Sequence, residues 1–105
     1  MVKYHNVKTV VDGITFDSKR EAFYYRYYRN LEKDGKIQGL QLQVPFHIVI
    51  NGKNICKYLA DFTYIDEFGK HVIDVKSKIT RTDKVFRLKK KLVEALYNIE
   101  VEIVE

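Results

Sequence analysis

Two short apolar runs, each containing one acidic residue, constrain the fold of this chain most strongly. The first run covers residues 58–64 around Asp61, and the second covers residues 71–76 around Asp74. Because strand side chains alternate between two faces, Asp74 and Lys76 are expected to share a face. A turn-like segment between the runs predicts an antiparallel pair of strands. That pair would bring Asp61, Asp74 and Lys76 together at one end of a sheet.

The charges of this cluster allow two interpretations. Two carboxylates about 5 Å apart repel each other by roughly 3 kcal/mol at an effective dielectric constant of ~20, so the pair needs a cation or a shared proton. Lys76 supplies one positive charge, and a divalent metal supplies two; Mg²⁺ is commonly bound by carboxylates, waters and phosphate oxygens. The alternative is an ordinary cross-strand salt bridge among exposed side chains. Spacing alone leaves both open.

The same residues carry a resemblance. Asp61, followed after twelve residues by Asp74-Val75-Lys76, resembles the active-site hairpin of the PD-(D/E)XK nuclease superfamily. Residues 11–22, with the sequence VDGITFDSKREA, are similar to the opening of a small phage-encoded family within that superfamily, related to Holliday junction resolvases. The two similarities together cover most of the chain. Ala60 stands where the superfamily's name has proline.

The resemblance implies a fold, a reaction and a set of site residues. The fold is α/β, of the mixed α+β kind, with a restriction-endonuclease-like αβββαβ core in which two helices flank a mixed four-stranded sheet. The reaction is hydrolysis of DNA phosphodiester bonds with Mg²⁺, for which Mn²⁺ is expected to substitute. The implied catalytic residues are Asp61, Asp74, Lys76 and Glu21. The implied metal ligands are Asp61, Asp74, Glu21 and the carbonyl of Val75.

A helix is predicted to begin after Ser18. Ser18 and Glu21 have the spacing of a capping box, and Gly35 ends the helix after about Asp34. Helical spacing predicts a buried stripe made of Phe23, Tyr24, Tyr27, Tyr28 and Leu31. Capping alone accounts for Glu21; the alternative is that Glu21 is the third carboxylate of the site.

Turn signals outline the strands. Asp12-Gly13 and Asn51-Gly52 are two-residue hairpin signals, the first within an N-terminal hairpin or arm formed by residues 1–16. Pro45 cannot donate to a ladder, which predicts that its strand lies at a sheet edge or a bulge. In the first apolar run, alternation predicts one shared face for Tyr58, Ala60, Phe62 and Tyr64.

A second helix is predicted from near Thr82 or Asp83 to Tyr97. Its predicted apolar stripe consists of Val85, Leu88, Leu92 and Leu96, widened by Phe86, Val93 and Ala95. Lys89 projects within this stripe, so it either snorkels to solvent or reaches the acidic cluster. The connection through this helix predicts a last strand, residues 99–103, parallel to the strand of Asp74.

The net charge of +5 suits a polyanionic partner. Between Lys70 and Lys91, nine Lys or Arg residues stand against two acids, directly after the predicted site. The predicted DNA-binding residues in this run are Lys78, Arg81, Lys84, Arg87, Lys89 and Lys90, to which the resemblance adds Gln43. A solvated helix face is the alternative for the basic run. An exposed polar residue at a strand entry is the alternative for Gln43.

Length and composition exclude several other classes. A chain of 105 residues is predicted to form a single domain, residues 1–105. Its one cysteine, Cys56, excludes a disulfide framework and a cysteine-based zinc site within the chain. No apolar run approaches the ~20 residues of a membrane span. We therefore expect a cytoplasmic protein that has no membrane partner. If the chain is phage-encoded, the cytoplasm is that of the host cell.

These observations predict a Mg²⁺-dependent DNA endonuclease that acts on branched DNA such as a four-way junction. Two symmetric cuts require two active sites, so this substrate implies a homodimer. Three alternatives stay open. They are a nicking, restriction or end-processing nuclease of the same fold, a catalytically inert DNA-binding module, and an RNA nuclease.

Overall fold

A computed structural model describes residues 7–105 of the chain. The elements in chain order are β1 (Thr9–Val11), β2 (Ile14–Phe16), α1 (Lys19–Lys33), β3 (Gln38–Ile50), β4 (Lys53–Asp66), β5 (Gly69–Val75), a short 3-10 helix (Thr80–Thr82), α2 (Lys84–Tyr97) and β6 (Val101–Val104). After the β1-β2 hairpin, this order confirms the predicted mixed α+β fold with an αβββαβ core. The part of the predicted arm in residues 1–6 lies outside the described residues.

Local turn chemistry forms the hairpins. Asn51 and Gly52 join β3 to β4 with φ angles of 52° and 74°, and Asp12 and Gly13 join β1 to β2 with φ angles of 54° and 76°. Two consecutive residues with positive φ make the type I′ turn that matches the twist of paired strands, and Asn-Gly and Asp-Gly adopt it readily. Both predicted hairpins are confirmed.

The main sheet has the order β3-β4-β5-β6. β3 is antiparallel to β4, β4 is antiparallel to β5, and β5 is parallel to β6, which confirms the predicted crossover through α2. β3 is one continuous strand at the edge of the sheet, and Pro45 within it faces Leu59 of β4. A proline is tolerated there because an edge strand has one side without a ladder partner.

The core consists of two clusters on opposite faces of this sheet. The cluster on the α1 side contains Phe16, Ala22, Tyr25, Tyr28, Ile37, Phe62, Ile73 and Val75. The cluster on the α2 side contains Phe46, Ile48, Tyr58, Ala60, Val72, Phe86, Val93 and Val101. Ile73 and Val72 are neighbours in β5 and belong to different clusters, as alternation along a strand requires. Within residues 7–105, neither helix combines the length and the apolar sequence that crossing a membrane requires.

The predicted buried stripe of α1 is partly wrong. Ser18 caps α1 as predicted, but the buried residues of the helix are Ala22, Tyr25 and Tyr28. Phe23 and Tyr27 are exposed. The small side chain of Ala22 lets the helix approach the sheet, and the Tyr25 hydroxyl donates a hydrogen bond to Asp12 at 2.9 Å. These contacts rotate α1 away from the orientation that the aromatic spacing predicts.

The predicted stripe of α2 is also shifted. Asp83 caps the helix by accepting a hydrogen bond from the N–H of Phe86 at 2.9 Å, and Asn98 ends it in the left-handed conformation. Phe86 and Val93 are the buried residues. The stripe residues that lie exposed instead are Val85, Leu88, Ala95 and Leu96. Phe86 and Val93 lie seven positions apart and contact the sheet together, so Leu88 and Leu96 face solvent while Leu92 stays partly buried against the cluster.

Candidate active site

The candidate site lies where β4 and β5 stop pairing. Their antiparallel ladder ends at the pair Phe62 and Ile73, so Asp61 and Asp74 occupy the next cross-strand position. Beyond the ladder, the backbone N–H of Val75 donates a hydrogen bond to the Asp61 carboxylate at 2.8 Å. The Asp61 side chain therefore lies between the two strands as they separate. This separation opens the sheet around the two carboxylates.

The neighbouring part of β3 changes face at the same level. Val44 of β3 pairs with Ala60 of β4, and both pack in the α2-side cluster. The pair two positions away, Leu42 and Phe62, packs in the α1-side cluster. Gln43 lies between Val44 and Leu42 with a φ angle of 50°. This left-handed residue rotates the strand, so the two-residue period fails at Gln43 and Asp61. The predicted single face is therefore wrong, since Tyr58 and Ala60 face α2 while Phe62 and Tyr64 face α1.

Two donors orient the carboxylate of Asp61. Besides the Val75 N–H, the Gln43 side-chain amide donates to Asp61 Oδ1 at 3.1 Å. Asp61 and Gln43 line a cavity of about 240 Å³ together with Glu21. The structure thus brings Gln43 to the predicted site, in contact with one of its acids.

Asp74 is only 2% exposed. The Tyr58 hydroxyl donates a hydrogen bond to its carboxylate. Burial, followed by the hydrogen bond and the charge of Asp61, raises the pKa of Asp74 well above its ordinary range, and the Tyr58 hydrogen bond and the Lys76 charge only partly offset this rise. Burial and the charge of Asp74 in turn raise the pKa of the Tyr58 hydroxyl. The two carboxylates therefore meet in a place where their negative charge is not balanced.

Glu21 faces the same cluster. The Ser18 hydroxyl accepts the Glu21 backbone N–H at 3.1 Å, whereas the reverse bond of a capping box does not form among the described residues. Burial, then the charges of Asp61 and Asp17, raises the pKa of Glu21 to about 7, while Lys76 lowers it. Capping therefore involves the backbone of Glu21, and its carboxylate is left to the acidic cluster.

Lys76 follows Asp74 and is half-buried. Its Nζ lies over the Phe86 ring, 4.7 Å from the ring centroid, and it makes no ion pair within residues 7–105. Lys76 lines two cavities, one of about 420 Å³ with Asp74 and one of about 200 Å³ with Glu21. Its amine therefore lies beside Phe86, which lines the cavity of Asp74.

The structure separates the predicted DNA-binding residues into three groups. Lys89 lines the cavity of Asp74 and Lys76. The exposed residues near the site are Lys78, Lys84 and Arg87. Arg81 is paired with Glu105 at 2.9 Å, and Lys90 is paired with Glu94 at 2.9 Å. The carboxylate of Glu94 also accepts the N–H of Val101, so Lys90 supports the start of β6 and does not line the cavity.

Three residues of the site were not predicted. Tyr58 bonds to Asp74, Lys57 lines the cavity of Asp74, and Arg20 lines the cavity of Glu21 and Lys76. Tyr58 reaches Asp74 because of the face change in β3 and β4, which no spacing rule predicts. Arg20 had a signal in the sequence, since it directly precedes Glu21 in the first turn of α1.

The acids fit a divalent cation by charge. Residues 7–105 contain no set of three or more His, Cys, Asp or Glu side chains already gathered as metal ligands. However, burial, followed by interactions with Asp61, raises the pKa of both Asp74 and Glu21, and the charge of Lys76 only partly offsets this rise. Oxygen ligands and excess negative charge are what Mg²⁺ and Mn²⁺ prefer. A larger cavity of about 550 Å³ lies elsewhere, and none of the predicted site residues lines it.

The model of a protein family described as "Protein of unknown function (DUF1064)" matches residues 1–104. No curated protein and no solved structure matches the chain. The matched region contains both helices and both sheets, and therefore every residue of the candidate site.

Proposed function

This chain belongs to the DUF1064 family, and we propose that it is a metal-dependent nuclease that hydrolyses phosphodiester bonds in DNA. The observation that carries the proposal is the meeting of Asp61 and Asp74 beside Lys76 where β4 and β5 separate. A purely structural role does not account for this pair, because a buried carboxylate next to a second one destabilises the fold. A site that binds a cation together with a phosphate-containing ligand accounts for the arrangement instead.

The groups in the site match the needs of phosphodiester hydrolysis. Asp61 and Asp74, with Glu21 and the Val75 carbonyl as further ligands, would hold a divalent cation, which would supply positive charge for the phosphate and lower the pKa of water. Lys76 adds a positive charge near the reacting phosphate, which stabilises the negative charge of the transition state.

The surrounding residues hold these groups in place. Gln43 and the N–H of Val75 orient Asp61, and Tyr58 orients Asp74. The Phe86 ring holds the amine of Lys76 near the cavity. Supporting contacts of this kind reduce the reorganisation that a reacting site requires.

The proposed substrate is branched DNA. Lys89 in the cavity and the exposed Lys78, Lys84 and Arg87 supply positive charge for phosphates that flank the site. A four-way junction cut symmetrically needs two active sites, so the proposal includes a homodimer. Sedimentation of the protein with and without junction DNA measures this stoichiometry. The proposed location is the cytoplasm.

The test is cleavage of labelled linear, nicked and four-way-junction DNA, and of RNA of the same sequence, with Mg²⁺, Mn²⁺ or EDTA. Asp74→Asn is the inactive variant, and Asp66→Asn, the same change in the same hairpin away from the site, is its matched control. We expect cleavage with either metal in the wild type and in the control, and none in EDTA or in Asp74→Asn. Cleavage that persists in Asp74→Asn would refute the proposal. Tight DNA binding without cleavage would identify a DNA-binding module.

A further inference from the structure

Helix α1 exposes two aromatic rings that the core does not use. Phe23 is 60% exposed and Tyr27 is 50% exposed. They are four positions apart and therefore lie on one face of α1, which we call the aromatic stripe. Each ring contacts a tyrosine: Phe23 and Tyr24 have centroids 5.3 Å apart, and Tyr27 and Tyr28 have centroids 5.3 Å apart. The exposed rings are thus already held in position.

The aromatic stripe lines a shallow cavity of about 400 Å³. The residues around it are Phe23, Tyr24, Tyr27, Tyr28, Leu31, Tyr64 and Val104. Tyr28 and Tyr64 form its floor, with ring centroids 5.2 Å apart. A wide cavity with aromatic walls accommodates flat ligands, because aromatic faces stack on one another.

The aromatic stripe begins within one helical turn of a residue that lines the candidate site. Arg20 lines the cavity that contains Glu21 and Lys76. Phe23 follows Arg20 by three residues, which is a rise of about 4.5 Å along a helix. A strand whose phosphate lies beside Arg20 therefore needs to advance only this far along α1 to reach the level of the first ring.

Positive charge surrounds the aromatic stripe. The exposed cations of α1 that make no ion pair within residues 7–105 are Lys19, Arg20, Arg26 and Lys33. Aromatic rings among basic side chains are the combination that proteins use to bind single-stranded nucleic acid. A second copy of this chain would bring the same positive charges against these, which disfavours the aromatic stripe as an interface between copies.

We infer that the aromatic stripe stacks with unpaired bases of the strand that enters the site, so the branched DNA substrate has unpaired bases beside the cleaved bond. This inference rests on the proposed nuclease function for the identity of the strand. In a duplex, neighbouring bases cover each other's faces, so only unpaired bases are available for stacking on protein. Phe23 and Tyr27 are separated by about 6 Å along the helix axis, against roughly 3.4 Å between stacked bases, which fits an unstacked strand.

The test measures binding in EDTA, where metal-dependent cleavage cannot occur. Fluorescence anisotropy gives the Kd of a labelled single-stranded oligonucleotide and of the duplex of the same sequence. The test variant is Phe23→Ala combined with Tyr27→Ala, and Tyr27→Phe keeps the stacking ring. Phe68→Ala is the matched control, because Phe68 is 85% exposed in the turn between β4 and β5, outside the aromatic stripe. Circular dichroism checks that each variant is folded.

We expect the double variant to bind single-stranded DNA at least about 25-fold more weakly, since each of the two stacked rings contributes roughly a fivefold factor or more. Its duplex binding, and both affinities of Tyr27→Phe and Phe68→Ala, are expected to stay within about twofold. Unchanged single-stranded binding in the double variant overturns the inference. Loss of self-association with unchanged DNA binding also overturns it and identifies a protein interface.

Cleavage assays with Mn²⁺ separate this inference from the proposed function. One outcome is that the wild type cleaves DNA and the double variant cleaves both flapped and fully paired substrates at the wild-type rate. In that case the inference fails and the nuclease proposal stands. If the stripe binds single strands as expected but no substrate is cleaved, the stacking surface stands and the nuclease proposal fails.

Discussion

Replacing Asp74 by asparagine is expected to stabilise the protein while abolishing its proposed activity. Asp74 is 2% exposed, and burial and Asp61 raise its pKa. Two unit charges about 4 Å apart interact by roughly 4 kcal/mol at an effective dielectric constant of ~20. Asparagine has nearly the same shape, can still accept from Tyr58, and can donate to Asp61. Because Lys76 already offsets part of the repulsion, the expected gain in unfolding free energy is about 2–4 kcal/mol at pH 7.

Urea unfolding in EDTA measures this gain. With a slope of about 1–3 kcal/mol/M, the midpoint of Asp74→Asn is expected to rise by roughly 1 M or more without a change in slope. Asp66→Asn is the control, for which the opposite change in unfolding free energy is expected. Burial alone would raise the pKa of Asp66, but the His71 hydrogen bond and the Phe68 N–H outweigh it and lower that pKa, so this variant is expected to lose stability.

The pH dependence provides a second readout. A carboxyl group whose pKa is raised in the folded state favours folding when protonated, so its contribution is lost as pH rises from its ordinary pKa of 3.8 through the raised value. The stability of the wild type should therefore fall relative to that of Asp74→Asn as pH rises. Mn²⁺ at a hundredfold excess over Kd should stabilise the wild type by about 2.7 kcal/mol, which closes most of the gap to Asp74→Asn. A variant less stable than the wild type in EDTA would contradict this prediction and would identify Asp74 as a compensated charge.

Three further predictions concern single residues. Burial lowers the pKa of His71, but its contacts with Glu102 at 2.6 Å and Asp66 at 2.9 Å outweigh this effect and raise the pKa above 6.5. The stability that these contacts contribute is present below pH 6.5 and is lost as pH rises through the raised value. His71→Gln should flatten this pH dependence in thermal melts. Lys76→Met should lower single-turnover cleavage about 10²- to 10³-fold while changing DNA affinity in EDTA less than tenfold, and retained cleavage would contradict the assigned role. Glu21→Gln keeps the backbone cap and should lose cleavage without losing stability. Ser18→Ala should lose about 1 kcal/mol of stability in urea unfolding and keep its cleavage rate. The opposite pattern would make Glu21 only a cap residue.

Much of the fold follows from short-range chemistry and was predictable. Asn51-Gly52 and Asp12-Gly13 form their turns because two adjacent residues tolerate positive φ. Ser18 starts α1 because its hydroxyl accepts an N–H three residues on. The parallel placement of β6 follows from the crossover through α2 that joins it to β5. Each of these depends on a few neighbouring residues or on a general rule of chain connection.

The orientation of the helices was not predictable in the same way. The aromatic residues of α1 surround much of the helix, so spacing alone fits more than one buried face. Contacts with the sheet select Ala22, Tyr25 and Tyr28 and leave Phe23 and Tyr27 exposed. In α2 the same selection buries Phe86 and Val93 and exposes Leu88 and Leu96.

The candidate site divides between these two levels. Local pairing and alternation carry Asp61, Asp74 and Lys76 to neighbouring positions of two strands, and both depend on residues close together in the chain. Long-range packing separates the strands at this level, turns β3 to its other face at Gln43, and brings Tyr58 to Asp74. Separation and rotation depend on how the whole sheet packs between two helices, and that packing energy is shared among residues far apart in the sequence.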